Sequence, residues 1–398
     1  MHTQLADFVK ALPEHDELQS ILRACVHCGF CNAGCPTYAE LNNELDGPRG
    51  RIYLLKQALE GQPVSRVTQQ HIDRCLNCRA CESICPSGVH YGRLVDLAQP
   101  IIAQQVRRPF KQRLIRLLAL HVFSYRQRFQ SAFQLGLWLK PLLPKSLKAK
   151  LHKPAKVAYP TRLPTSNRTM LLLTGCVQPT LAPNIDEQCI AVFARLGITL
   201  IPVTGQCCAA LPYHLADHER AKHFARTNID LCLSQIEQGA EAIISSASAC
   251  TLMLKNYAEL LQYDDEYRDK AQHFSALCKD LSEILAQEDL QRLTPETKTL
   301  AFHAPCTLQH GQRLTGQVEA VLTRLGHHLL PIAQAELCCG SAGVYSLLQP
   351  DLSARLREQK LTSLSATKPE LIATANIGCL NHLHNDSIRV VHWIELCL

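Results

Sequence analysis

Cysteine is the residue of this chain with the most chemistry to offer, and its spacing is regular. Cys25, Cys28, Cys31 and Cys35 form one run, closed by Pro36. Cys75, Cys78, Cys81 and Cys85 form a second with the same spacing, closed by Pro86. Three thiolates at i, i+3 and i+6 can wrap three irons of a cube within one tight loop, and a fourth beyond that loop's reach can serve a second cube. Zinc is the competing reading. Structural zinc sites pair two-cysteine knuckles and rarely use a four-cysteine run with proline twice, so iron–sulfur chemistry is expected.

Eight further cysteines fall into two sets. Cys176, the pair Cys207-Cys208, and Cys250 form the first. Cys306, the pair Cys338-Cys339, and Cys379 form the second, displaced by 129 to 131 residues. Adjacent cysteines ligate one small ion poorly and suit a larger cluster with bridged irons. A vicinal disulfide is the competing redox use. Burial as a small apolar residue is the bland reading for any single thiol, and a poor one for eight in matching positions. Cys189, Cys232, Cys278 and Cys397 fall outside every pattern, and Cys189 and Cys232 read as core residues of helices.

The chain has 398 residues, 46% of them apolar, 19% charged, with 20 cysteines and a net charge of +6. Two or three domains are expected, with cores too large for a disordered chain or a small disulfide-stapled module. Met1 to Lys10 holds no apolar signal region, and no run approaches the ~18 apolar residues of a membrane span. The expectation is a cytoplasmic protein, where many cysteines argue for metal rather than disulfides.

The expected fold is multidomain, α and α/β. Pro48, the shared face of Ile52, Leu55 and Leu59, and Gly61-x-Pro63 mark a helix between the arrays, so residues 1–105 read as an α-helical two-cluster domain. From Leu97 to Ile185 there is no acidic residue but fifteen Lys and Arg. Residues 106–168 therefore read as a basic amphipathic helical segment, followed after Pro141 by an extended linker. Its use is either attachment to an anionic membrane surface or acidic partner, or a solvated face packed on its own domain. Beyond it, short apolar runs each end at a cysteine, with helical stretches between. That βαβα alternation predicts parallel sheets in two repeated modules, 169–287 and 299–398, with every repeated cysteine at the carboxyl end of a strand.

The two arrays resemble those of bacterial two-cluster ferredoxins. The resemblance implies two [4Fe-4S] clusters with crossed ligation: Cys25, Cys28, Cys31 and Cys85 on one, Cys75, Cys78, Cys81 and Cys35 on the other. The paired-cysteine modules resemble the cysteine-rich domains of heterodisulfide reductases. Segments 21–31, 44–54, 301–310 and 337–343, with the closing Val391 to Glu395, resemble the iron–sulfur subunits of bacterial glycolate oxidases over nearly the whole chain. That family implies an electron-transfer subunit with no catalytic residues of its own. A flavoprotein partner carrying FAD would oxidise glycolate or D-lactate, and electrons would pass onward to quinone at the inner membrane. No strand here leads into a G-x-G-x-x-G turn, so the two-electron carrier belongs on another chain. No nucleic-acid partner is expected.

The modules depart from the wider pattern, which closes with Cys-x-x-Cys. Met253 stands at that spacing after Cys250, and His382 after Cys379. Four thiols can still hold one further cluster in these modules. His382 either replaces the missing thiolate or is surface polarity, and Met253 reads as core. His27 and His90 flank the arrays. Arg49, Arg51, Arg74 and Arg79 either offset cluster charge or, as the default, are surface charges. The alternatives are a thiol–disulfide reductase subunit, the iron–sulfur subunit of a D-lactate or glycerol-3-phosphate dehydrogenase, and a zinc scaffold.

Overall fold

The computed structural model describes residues 1–142 and 167–398. Most of the expected linker after Pro141 lies outside the described residues. The N-terminal region is helical as anticipated. Helices His15–Ala24, Pro48–Leu59, Arg66–Asp73 and Tyr91–Gln105 enclose a core of Leu18, Leu22, Leu55, Leu59, Ile72 and Leu94. Each such side chain withdrawn from water contributes about 1.5–3 kcal/mol. Gly50 is forced by packing: a Cβ there would lie 2.1 Å from the Glu44 carbonyl oxygen.

The basic segment is helical, as expected, and consists of two helices, Phe110–Val122 and Arg126–Trp138. Their inner side packs through Ala119, Phe129 and Phe133, and Arg108 and Arg116 both bond the Asp73 carboxylate. Their outer side leaves Phe110, Leu114, Leu117, Leu118, Leu135 and Trp138 exposed.

The C-terminal region holds two four-stranded parallel sheets. The first contains β1 (Arg168–Thr174), β2 (Ile198–Thr204), β3 (Ile243–Ser245) and β4 (Cys278–Asp280), in the order β2-β1-β3-β4. The second contains β5 (Thr299–His303), β6 (His328–Leu329), β7 (Leu371–Thr374) and β8 (Arg389–His392), in the order β6-β5-β7-β8. The identical order gives the cysteine repeat a structural counterpart. Each fourth strand adds to the three anticipated from sequence. Both run directly into a capping box, Asp280 with Glu283 and His392 with Glu395. β6 is shorter than its apolar run, whereas its counterpart β2 runs on through the matching Pro202.

The two sheets share one core. Leu172, Ile244 and Leu200 from the first sit in the same apolar cluster as Leu300, Phe302, Ala373 and Val391 from the second, with Trp393 fully buried among them. Ser248 N–H donates to the Ala375 carbonyl at 3.0 Å, and Asn184 Nδ2 to Glu395 at 2.9 Å, closing the junction.

Candidate metal centres

Each N-terminal array begins where a helix stops. Cys25 caps His15–Ala24, and Cys75 follows Arg66–Asp73 by one residue. The two loops then take the same path. His27 and Gly29 in the first, and Asn77 and Arg79 in the second, occupy the left-handed region at φ 59°, 86°, 49° and 61°. Those turns aim backbone N–H groups inward, and Asn77 N–H reaches Cys75 Sγ at 3.4 Å. Such bonds orient thiolates and set the electronics of whatever they hold. Three of these four residues are not glycine, so the loops hold a conformation that costs about 1–2 kcal/mol at each such position.

Cys25, Cys28, Cys31 and Cys85 line one pocket, with Cys81 at its wall and Ile52, Val89 and Tyr91 closing it. Cys28 is exposed. Cys35, Cys75, Cys78 and Cys81 form a second, deeper group whose thiols act electrostatically on one another. Thr37 Oγ1 lies 3.3 Å from Cys35 Sγ, and Tyr91 Oη donates to Cys75 Sγ at 3.6 Å. Burial, then the neighbouring Cys25, pushes the Cys31 thiol up to about 11. Burial pushes Cys78 and Cys81 well up too. Thiols crowded in an apolar cage give up their protons when a cation replaces them. The donor chemistry of both groups fits iron–sulfur clusters.

The arginines near the arrays have different fates. Arg49 pairs with Glu44 at 2.6 Å, and Arg79 lies 3.8 Å from Asp96. Arg51 corrects the surface reading. It is 1% exposed, donating to the His71 carbonyl at 2.7 Å and to Thr37 Oγ1 at 3.0 Å. Burial opposes its charge, but Cys75, Tyr91, Cys35 and Asp46 hold the guanidinium firmly protonated. Asp46, also buried, takes Arg74 at 3.0 Å and His71 at 3.0 Å. A permanent cation therefore sits beside Cys75 and Cys35 of the second thiol group.

The paired-cysteine sets lie beyond the carboxyl ends of their strands. Cys176 and Cys306 follow β1 and β5. Cys250 and Cys379 ride helices Ser248–Lys255 and Ile377–Leu383 after β3 and β7. In the first module the free thiol of Cys207 neighbours those of Cys176 and Cys208, and Cys208 neighbours Cys250. In the second, Cys338 lies 4.0 Å from Cys306, and Cys339 lies 3.4 Å from Cys379. The order of partners is the same in both. After each pair the chain turns left-handed, at Ala209 (φ 74°) and Gly340 (φ 83°).

One neighbour was not anticipated. His303, the last residue of β5, is 1% exposed, and its ring nitrogen lies within 4.8 Å of Cys339 and Cys379 Sγ. Burial, then Lys360, drives its imidazole well below its ordinary range, so it is neutral. The signal was visible as a histidine three residues before Cys306, where the first module has Leu173 before Cys176. His382 instead faces Ser353 Oγ at 3.3 Å. Met253 packs in the core, as expected. His27 stacks edge-on to Tyr53, and His90 is exposed. Cys189, Cys232, Cys278 and Cys397 are all buried; Cys189 and Cys397 lie in the core shared by the two sheets, and Cys232 and Cys278 in the apolar cluster that also holds Cys207 and Cys208.

The second array adjoins both modules. Leu76 shares an apolar cluster with Cys338, Tyr345, Leu352 and Leu356, with Cys78 and Cys306 at its edge. Tyr345 Oη donates to the Arg74 carbonyl at 3.0 Å. Cys78 and Cys306 are electrostatic neighbours, as are Cys338 and Cys78. Towards the first module, His214 meets Asp96 at 3.1 Å and Asn77 at 3.0 Å, and Arg93 donates to Tyr213 Oη at 2.9 Å. Burial works to raise the Asp96 carboxyl, but His214 and Arg79 more than offset it and hold it below the usual range.

A helical domain with two ferredoxin-type arrays, joined to twin parallel-sheet modules with cysteines at strand ends, defines an iron–sulfur electron-transfer protein. Residues 21–89 match the 4Fe-4S dicluster domain family, and residues 170–255 and 300–384 each match the cysteine-rich domain family. The glycolate oxidase iron-sulfur subunit of Escherichia coli (strain K12) is 48% identical over 100% of this chain and 98% of its own length. The probable glycolate oxidase iron-sulfur subunit of Bacillus subtilis (strain 168) is 29% identical over 94% of this chain and 93% of its own. Lactate utilization protein A of Exiguobacterium sp. is 28% identical over 56% of this chain and 95% of its own. The chain belongs to the family of glycolate oxidase iron–sulfur subunits.

Proposed function

We propose that this chain is the electron-transfer subunit of a complex that oxidises glycolate, or D-lactate, to the 2-oxo acid. The observation that carries the reading is the pair of matched arrays packed against the paired-cysteine modules, in a chain similar end to end to a glycolate oxidase iron-sulfur subunit. Cys25, Cys28, Cys31 and Cys85 hold one [4Fe-4S] cluster, and Cys75, Cys78, Cys81 and Cys35 the other. When bound, such clusters accept and release electrons singly, which suits them to a flavin partner that takes a pair. The chain's own residues do the tuning. Inward N–H groups and the buried Arg51 favour the reduced state, and Cys28 keeps the first array at the surface, where a flavoprotein subunit carrying FAD can approach. Cys81, on the wall of the first pocket, and Cys78, beside Cys306, place the second array between the first and the second module.

Anaerobic purification of the chain with its partners tests this. About eight irons per chain account for the two arrays, and a flavoprotein should co-purify. Deleting the gene should abolish growth on glycolate. Unchanged growth, with no second copy, would overturn the glycolate assignment.

The outer face of helices Phe110–Val122 and Arg126–Trp138 supports peripheral attachment at the inner membrane near the quinone pool. Phe110, Leu114, Leu117 and Leu118 recur at i, i+4, i+7 and i+8 and are exposed, as are Lys111, Arg113 and Arg128. Basic and apolar groups on one face suit an anionic lipid surface. Among the described residues no helix is long and apolar enough to cross a membrane. Flotation with anionic vesicles should carry the chain at low salt and release it at high salt. A chain that ignores vesicles at low salt would refute attachment.

A further inference from the structure

Among the described residues, His303 is the one buried histidine that the fold places against the repeated cysteines, and both its ring nitrogens are buried without a hydrogen-bond partner there. Leaving an imidazole nitrogen unpaired in a dry interior is costly, so the ring needs a reason to be there. Packing alone does not supply it, since the first module fills the matching position with Leu173 on the same sheet position. The geometry supplies one. His303, Cys339 and Cys379 present donor atoms within 4.8 Å of one another, and the two sulfurs stand 3.4 Å apart. Donors on one tetrahedral ion, with metal–sulfur bonds near 2.3 Å and metal–nitrogen near 2.0 Å, are spaced by about 3.3–3.8 Å.

Charge points the same way. Lys360 is 2% exposed and donates to the carbonyls of Gln334 and Ala335, at 3.0 and 2.9 Å. Its ammonium lies near Cys339, Cys338, Glu336 and Cys379. A buried cation needs anionic neighbours, and thiolates bound to metal would join Glu336 in providing them.

We propose that His303, together with Cys339 and Cys379, ligates a thiophilic metal ion in the second module, either an iron of a bound cluster or a single zinc. Both take mixed imidazole and thiolate donors. The second module is then a nitrogen-containing centre, whereas among the described residues the first shows no such histidine and cysteine group. His303 fills the role of the cysteine absent from the closing Cys-x-x-Cys, and His382 does not. The inference shares its thiols with the proposed electron-transfer role but does not depend on glycolate as substrate.

The test uses the full chain purified anaerobically, labelled with ¹⁵N-histidine, in wild-type form and as His303→Leu and His303→Cys. Leu is chosen because the first module carries Leu173 at the matching position, and Cys because it can restore a ligand. Metal analysis separates one zinc per chain from iron beyond the about eight of the arrays. Pulsed EPR for iron, or X-ray absorption at the zinc edge, should find a histidine nitrogen on the second-module metal of the wild type. His303→Leu should lose that nitrogen and weaken metal binding at least about 10-fold, with the ferredoxin-type EPR signals unchanged. His303→Cys should regain the metal in an all-sulfur shell. No nitrogen on the wild-type metal, or a His303→Leu protein with unaltered metal content and spectra, would overturn the proposal. If His303→Leu precipitates, the wild-type nitrogen signal decides alone. Failure of the electron-transfer reading would look different, as an absence of iron from the arrays themselves.

Discussion

The two C-terminal modules share one strand order, one cysteine layout and one order of thiol partners, yet they differ where chemistry would be done. The first has Leu173 at the strand end, and the second has His303. The first turns after its pair at Ala209, the second at Gly340. The second places one cysteine of its pair, Cys338, in an apolar cluster with Leu76 and Cys78 of the second array, while Cys339 sits in a separate cluster. Packing requirements keep a duplicated scaffold similar, because every strand must still bury the same faces. Nothing in that packing holds the residues at the strand ends, and there the copies have separated.

The largest expected consequence concerns the pairs. Cys338→Ser should abolish onward electron transfer by the assembled complex, whereas the matching Cys207→Ser should leave most of it, because Cys306 and Cys338 are the neighbours of Cys78. Steady-state reduction of an artificial acceptor, with metal analysis of both variants, measures this. Equal losses would erase the functional contrast between the copies.

Acid should weaken both modules. Burial lowers His218, in the first, to about 4, and His392, in the second, to about 4. Both are depressed, so between pH 6.5 and 4 the unfolded chain binds more protons than the folded one. Stability should be level above about pH 7 and fall as pH drops through that window, by up to about 3 kcal/mol per histidine. Urea midpoints against pH, with His218→Gln to remove the first module's share, would show it. A flat profile would mean that neither ring is held neutral.

Next come the turns. A Cβ at Gly340 would meet Leu356 Cβ and Ser353 O at 2.9 Å in a left-handed backbone, so Gly340→Ala should cost about 1–3 kcal/mol in urea unfolding. Ala209 already bears that conformation (φ 74°) with a side chain, so Ala209→Gly should be smallest in effect, between neutral and about 1 kcal/mol stabilising. Matching effects at the two positions would show that the turns are interchangeable.

Much of this architecture was legible because it is written in local spacing. The arrays, the helix from Pro48 to Leu59, and the strands ending at Cys176 and Cys306 all follow from short-range pattern. The fourth strands were not legible. β4 is three residues long, joins helix Arg268–Leu277 without a turn signal, and owes its existence to pairing with β3. Arg51 runs against its sequence signal because charge in a sequence suggests solvent, and only the assembled fold shows Asp46, Cys35 and Cys75 around it. His303 is hidden for a similar reason. The closing Cys-x-x-Cys frame points to His382 as the fifth donor, while proximity in space comes from β5 lying beside β7. The helical hairpin after residue 110 was legible as basic and amphipathic, but which side it turns outward was not.

The common core beneath the two sheets has a thermodynamic consequence. Leu172 and Ile244 are covered by the same cluster that covers Phe302 and Val391, so neither module can come apart without stripping the other. A ligand that binds only the folded form adds its binding free energy to whatever unfolds as one unit. Metal taken up at Cys339 and Cys379 therefore braces β1 and β2 as well as β5 and β7. Chelation at one end of the pair would be felt as lost protection against amide exchange at the other, although no thiol there had let go of anything.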